Sequence, residues 1–126
     1  MPTMQAVPPG GTLGILGGGQ LGRMLALAAA RLGIRVHCFS PEADSPTAEV
    51  SGAATVAAYE DAAALDAFAA QVDAVTYEFE NIPLAAVERL AARVPVRPGG
   101  AALRVTQDRL DEKRFIRKAG FDTAPF

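Results

Sequence analysis

The chain has 126 residues, with 12 Lys and Arg against 14 Asp and Glu, a net charge of −2 and a sequence pI near 5.3, so it offers no basic face to a nucleic acid or an anionic membrane. Half the residues are hydrophobic and 21% are charged, which is enough apolar material for one core and too little charge for a disordered chain. The single cysteine excludes an internal disulfide and a cysteine-based metal site, and it fits a reducing, cytoplasmic setting.

The first eleven residues carry Pro2, Pro8, Pro9, Gly10 and Gly11, without a basic n-region or an apolar h-region. They read as a flexible tail rather than a secretory signal. Thr12 to Leu16 is a short apolar run ending in glycines, the pattern of a buried strand. Leu21 to Leu32 is rich in Ala and Leu and predicts a helix, with Gly33 placed to cap its end. Arg23 and Arg31 bracket the apolar run Met24 to Ala30, which is far short of the roughly 18 residues a membrane span needs. Ile34 to Phe39 predicts the second strand, completing a βαβ unit with parallel strands. In that strand Cys38 reads as a buried structural thiol, and His37, the only histidine, as pointing to the opposite face with a structural role.

Ser40 to Gly52 holds Pro41, Asp44, Ser45 and Pro46 and predicts a loop. Ala53 to Ala57 predicts a short strand, and Asp61 to Gln71 a helix capped by Asp61. Asp73 to Tyr77 predicts a strand, Leu84 to Arg93 a helix behind Pro83, and Val94 to Val96 a last short strand closed by Pro98-Gly99-Gly100. The alternation argues for a doubly wound α/β sheet. Ligands of such sheets sit beyond the carboxyl ends of the strands, here the loops Gly17 to Gly22, Ser40 to Ser45 and Glu78 to Pro83.

Three segments carry candidate chemistry. Gly17-Gly18-Gly19-Gln20-Leu21-Gly22 fits G-x-G-x-x-G between strand and helix, where glycines let backbone N–H groups approach an anion and the helix N-terminus favours one. A dinucleotide site would want an acid directly at the end of the second strand, and that strand ends Phe39-Ser40-Pro41, with Glu42 behind a proline. Tyr77-Glu78-Phe79-Glu80-Asn81-Ile82-Pro83 sets two carboxylates and an amide at a strand's carboxyl end, where they either serve a ribose hydroxyl, an amine or a cation, or only cap the next helix. Gln107 to Phe115 opens a helix capped by Asp108 and ended at Gly120. Within it Arg109 stands in the first turn, where the dipole prefers an acid, so an anion is the expected partner.

In this order the segments Leu16 to Met24, Thr76 to Pro83 and Gln107 to Lys113 resemble the 5-(carboxyamino)imidazole ribonucleotide synthase family of the ATP-grasp superfamily, from about Thr12 to Phe126. The resemblance implies a Rossmann-like pre-ATP-grasp domain, an α/β fold whose parallel sheet has helices on both faces. It implies an ATP-dependent carbon–nitrogen ligase in purine biosynthesis, in which ATP and bicarbonate give carboxyphosphate and the amine of aminoimidazole ribonucleotide takes the carboxyl group. By motif, Gly19, Gln20 and Leu21 would meet the ribose-phosphate end of that ribonucleotide, Glu78 its amine or ribose end, and Arg109 a phosphate of ATP. Residues 1–11 are then a tail, 12–106 the ribonucleotide-binding domain, and 107–126 a hinge helix leading into the ATP-grasp region. The family's magnesium carboxylates, phosphate-covering loop and adenine pocket lie downstream of residue 126. We therefore expect a fragment that has no catalytic or metal-binding residue of its own and is inactive alone, and a cytoplasmic homodimer as the whole enzyme. The competing readings are a related ATP-grasp carboxylase or glycinamide ribonucleotide transformylase, and a stand-alone dinucleotide-binding module.

Overall fold

From Thr12 onward strand and helix alternate, as the apolar runs and their glycine and proline punctuation demand. The computed structural model describes residues 5–126. Its elements are β1 (Thr12–Leu16), α1 (Gln20–Arg31), β2 (Arg35–Ser40), α2 (Pro46–Glu49), β3 (Ala53–Val56), α3 (Ala62–Ala69), β4 (Ala74–Tyr77), α4 (Leu84–Ala91), α5 (Gly100–Gln107) and α6 (Arg109–Lys118). The four strands form one parallel sheet in the order β3-β2-β1-β4. Gly14 in β1 is level with His37 in β2 and Val75 in β4, and Leu16 with Phe39 and Tyr77.

That register gives the sheet two apolar faces. On one, Leu16, Phe39, Val75 and Tyr77 pack with Leu65, Phe68 and Ala69 of α3, Ala86, Val87 and Leu90 of α4 and Leu103 of α5. On the other, Ile15 and Val36 pack with Ala26 and Ala29 of α1. Helices thus cover both faces, as the alternation predicted. His37 points to the α3 side, where its ring meets the edge of Phe68 and its Nε2 lies 2.7 Å from Thr55 Oγ1. Burial pulls its pKa down, so it rests as a neutral core residue.

Local chemistry sets the ends of the elements. Gly33 takes φ +72° just after α1, and the N–H of Ile34 reaches back to Ala29 O. Asp61 and Asp108 cap α3 and α6 with their side chains, and Gly120 (φ +94°) follows α6. Of the expected tail, residues 1–4 lie outside the described residues. Gly10 donates to Gly33 O at 2.7 Å and Gly11 O accepts from Arg35 N, so this stretch already joins the fold ahead of Thr12.

Three expectations change. The loop from Ser40 to Gly52 contains α2, capped by Ser45 Oγ on Ala48 N with Pro46 at the first helical position. A helix, α5, follows Gly99, where the sequence suggested only a closing turn. The strand expected at Val94 to Val96 shrinks to one parallel bridge, Val75 with Val96, because Pro95 has no N–H to give.

Candidate functional site

The site is built where β1 and β4 end side by side. Parallel neighbours release their following loops on one edge, so the glycine loop after β1 and the segment after β4 must meet there. Glu78, the first residue beyond β4, lies across the glycine loop. A Cβ built on Gly17 would come within 2.8 Å of Glu78 Oε2, and one on Gly19 within 3.6 Å of Oε1.

The four glycines of the motif have different reasons to be glycine. Gly17 has φ +110°, a conformation side chains resist. A Cβ on Gly18 would strike Ser45, at 2.5 Å from its Cβ, and one on Gly22 would overlap Thr47 Oγ1. Gly19 has ordinary extended angles (φ −75°) and would meet only the Glu78 carboxylate at a normal contact distance. The protein itself therefore does not require glycine at position 19; a ligand approaching the backbone there would.

The loop is clamped from the α2 side. Thr47 N–H donates to Gly18 O at 3.0 Å, and Thr47 Oγ1 donates to Gly19 O at 2.9 Å. Ser45 and Thr47 are fully buried, and neither was singled out from the sequence, although Ser45-Pro46 ahead of Glu49 is a legible helix start. Cys38 lies beneath, its Sγ 3.7 Å from Gly17 O. Burial, and secondarily the charge of Glu78, push its thiol pKa up, which agrees with a structural thiol.

Gly18, Gly19, Gln20 and Leu21 line a cavity of about 440 Å³ together with Ser40, Pro41, Glu42, Tyr59, Glu78 and Phe79. Glu42, left unplaced by the sequence, stands in its wall with its N–H held by Ser40 Oγ. Tyr59 was not foreseen here, whereas Phe79 belongs to the Glu78 to Pro83 loop that the sequence puts at this edge. Burial first, then the charges of Glu78, Cys38 and Glu42, push the Tyr59 hydroxyl to about 12, so it stays protonated as a donor. The lining holds two carboxylates and neither Lys nor Arg.

Glu78 itself is under tension. Its Oε2 is shielded from solvent without a hydrogen-bond partner. Burial raises its pKa, and the N–H groups of Glu78 and of Gly22, in the first turn of α1, pull it part of the way back. α1 has no acid in its first turn and no side-chain cap, so this carboxylate is the negative charge at its N-terminus. The sequence reading puts an anion at the start of α1, and the Glu78 carboxylate stands beside that point.

Arg109 lies apart from the glycine loop. It borders a second cavity, of about 490 Å³, with Glu78, Glu80, Asn81, Gln107 and Glu112. The site residues inferred from sequence therefore fall into two hollows that share Glu78 as a common wall. Arg109 is exposed and paired with Glu112 at 2.7 Å, so its first-turn charge is already answered by an acid on its own helix. Gln107 ties the start of α6 to the Glu78 to Pro83 loop by donating to Ile82 O at 2.6 Å.

The ribonucleotide synthetase preATP-grasp domain model matches residues 11–107. The chain belongs to that family. It is 50% identical over 121 residues to the N5-carboxyaminoimidazole ribonucleotide synthase of Brucella melitensis, a match covering 96% of this chain and 33% of that protein. Among solved structures, an ADP complex of an N5-carboxyaminoimidazole ribonucleotide synthetase superposes with TM-score 0.92 at 41% identity, covering 98% of this chain and 33% of the other. The Aspergillus clavatus N5-carboxyaminoimidazole synthase, in complex with ADP and 5-aminoimidazole ribonucleotide, superposes with TM-score 0.81 at 33% identity, covering 91% and 31%. This preATP-grasp domain thus spans about a third of the length of these relatives. Among the described residues, no cluster of His, Cys, Asp or Glu could hold a metal ion, and no helix is long and apolar enough to cross a membrane.

Proposed function

We propose that this preATP-grasp domain holds aminoimidazole ribonucleotide for an ATP-dependent carboxylation. The observation that carries the reading is the cavity at the carboxyl edge of β1 and β4, where the N-terminal end of α1 faces Glu78. The reaction is that of the synthases the chain resembles. Bicarbonate attacks the γ-phosphorus of ATP to give carboxyphosphate and ADP. The ribonucleotide's amine then attacks the carboxyl carbon, phosphate leaves, and the nitrogen loses a proton.

In this reading residues 12–106 form the ribonucleotide domain and 107–126 a hinge into the ATP-binding region. Gly19 lets the ligand approach the backbone, Gln20 and Leu21 flank its sugar, and Glu78 accepts from its hydroxyls or amine. Arg109, freed from Glu112 as ATP arrives, meets a phosphate. Magnesium would neutralise phosphate charge, but the residues described here include no group of acids or histidines that fits it. The whole enzyme is proposed to act in the cytoplasm as a homodimer.

Steady-state kinetics on a full-length synthase carrying this domain tests the division of labour. Glu78→Gln is expected to raise KM for aminoimidazole ribonucleotide by roughly tenfold to over a hundredfold, the cost of one charge-assisted hydrogen bond, with less effect on ATP. Arg109→Ala is expected to raise mainly KM for ATP. If Glu78→Gln shifted only ATP, or neither substrate, this domain would not be the ribonucleotide holder. A dinucleotide module is disfavoured because Glu78 fills the place of a pyrophosphate; saturable micromolar binding of NADH would reverse that judgement.

A further inference from the structure

We propose that Gln107 is a positioning residue: by tying the start of α6 to the core, it sets where Arg109 stands. The proposal rests on the reading above for the identity of Arg109's ligand, a phosphate of ATP, and goes beyond it in saying what aims that side chain. Gln107 ends α5 and Arg109 begins α6. Asp108 alone lies between them, extended at φ −111° and ψ 120°, and its side chain caps α6 by accepting from Leu110 N and Asp111 N. A joint of one residue has two soft dihedral angles, and these decide the direction in which α6 leaves α5.

The supports on the two sides of that joint are unequal. α6 buries no residue, so no apolar packing holds it from beyond the joint. α5 buries only Leu103; ahead of it Gly99 O accepts from Tyr77 Oη at 3.4 Å, and Arg104 pairs with exposed Glu88. At the joint itself the support is Gln107, whose Nε2 donates to Ile82 O at 2.6 Å. Ile82 is 0% exposed and packs in the core with Val87 and Leu90 of α4. Among the described residues, no backbone hydrogen bond outside the helices and the sheet reaches Phe79 to Ile82, so without the Gln107 amide the shielded Ile82 carbonyl has no donor. Gln107, by contrast, is exposed. The buried end of the bond is therefore the fixed point, and the exposed end is the part that it holds. Gln107 and Arg109 line the same hollow of about 490 Å³, so the tie acts at the place where Arg109 would meet its phosphate.

A double-mutant cycle in a full-length synthase carrying this domain tests the role by steady-state kinetics. Gln107→Met keeps the length of the side chain and removes the donor; Gln107→Ala repeats the test should one variant fold poorly, and thermal melting checks each. Both are expected to raise KM for ATP about two- to tenfold, the loss of one neutral hydrogen bond, while KM for aminoimidazole ribonucleotide stays within about twofold. In an Arg109→Ala background the same substitutions are expected to add nothing, because the side chain that they misplace is gone. An equal rise in the two backgrounds would overturn the proposal, since Gln107 would then serve the fold at large. So would a rise confined to the ribonucleotide, which would make the tie a support of Glu78 rather than of Arg109. No rise at all, while Arg109→Ala itself raises KM for ATP, would overturn the positioning role and leave the phosphate reading standing. If Arg109→Ala leaves KM for ATP unchanged, the assignment of a phosphate to Arg109 falls, and the positioning role falls with it.

Discussion

Between Gly17 and Gly22 three glycines, at positions 17, 18 and 22, are fixed by a neighbour, whereas from Arg109 to Lys118 no side chain is buried. The loop is held by residues 20 to 60 positions away, namely Ser45, Thr47 and Glu78. Helix α6 is held mostly by nearby residues, through the Asp108 cap, the ion pairs of Arg109 with Glu112 and Arg114 with Asp111 three residues apart, and the bond of Arg117 to Thr123. Phe115 stands 57% exposed on it. A short motif can therefore mean two things. In α6 the sequence signal and the structural cause are the same few residues. In the glycine loop the signal is local but its causes are tertiary.

The largest effect should come from the packing on which the loop rests. Phe68 is fully buried, stacks its edge on Phe39 and His37, and fills the space over Gly14, where a Cβ would lie 2.5 Å from its ring. Phe68→Ala is expected to cost about 3–5 kcal/mol by urea denaturation. A loss below 1 kcal/mol would mean that this face repacks freely.

Next come the glycines, which separate structural from ligand-facing positions. Gly22→Val forces a side chain into buried Thr47 and is expected to cost about 3 kcal/mol. Gly19→Ala should cost less than about 1 kcal/mol, the scale of an N-cap change, while still impairing ribonucleotide binding. Equal stability losses at the two positions would erase the distinction drawn here.

Glu78→Gln should act through pH. The folded carboxyl has a raised pKa, so its stabilising contribution is complete below the ordinary glutamate value and is lost as pH rises through the raised one. The variant is therefore expected to melt higher than the unaltered chain at pH 7, with the gap closing toward pH 4. A gap that widened on acidification would show the carboxylate to be net favourable. The smallest effect is reserved for α6: Arg109→Ala should change stability by no more than about 0.5 kcal/mol, because its pair with Glu112 is solvent-exposed. A larger loss would mean that α6 is more than self-supporting.

Much of this fold was legible because its signals are local. The apolar runs of β1 and β2, Gly33, and the Asp61 and Asp108 caps mark their elements directly. That Gly17 to Gly22 and Glu78 share one edge followed from parallel strands alone. α5 was not legible: it starts on Gly99-Gly100 without a side-chain cap, and only Leu103 is buried. The start of α2 is written in Ser45-Pro46, but its single turn lies among the prolines and polar residues of a loop. That Glu78 faces the glycine loop followed from the same parallel strands. What no pattern could show is how near its carboxylate comes, which the register of β1 with β4 sets over Gly17 and Gly19.

The clamp of Thr47 on the glycine loop has a consequence for the entropy of binding. The carbonyls of Gly18 and Gly19 are already tied to α2, so the N–H groups between them are oriented before any ligand arrives. Ordering a free loop costs about 1–2 kcal/mol per residue in backbone entropy, and glycines lose more than others. Here that loss occurs when the chain folds. A ligand seated on this loop should accordingly bind with little entropic penalty from the protein, and calorimetry of Thr47→Val, which removes one of the two ties, should show the penalty return.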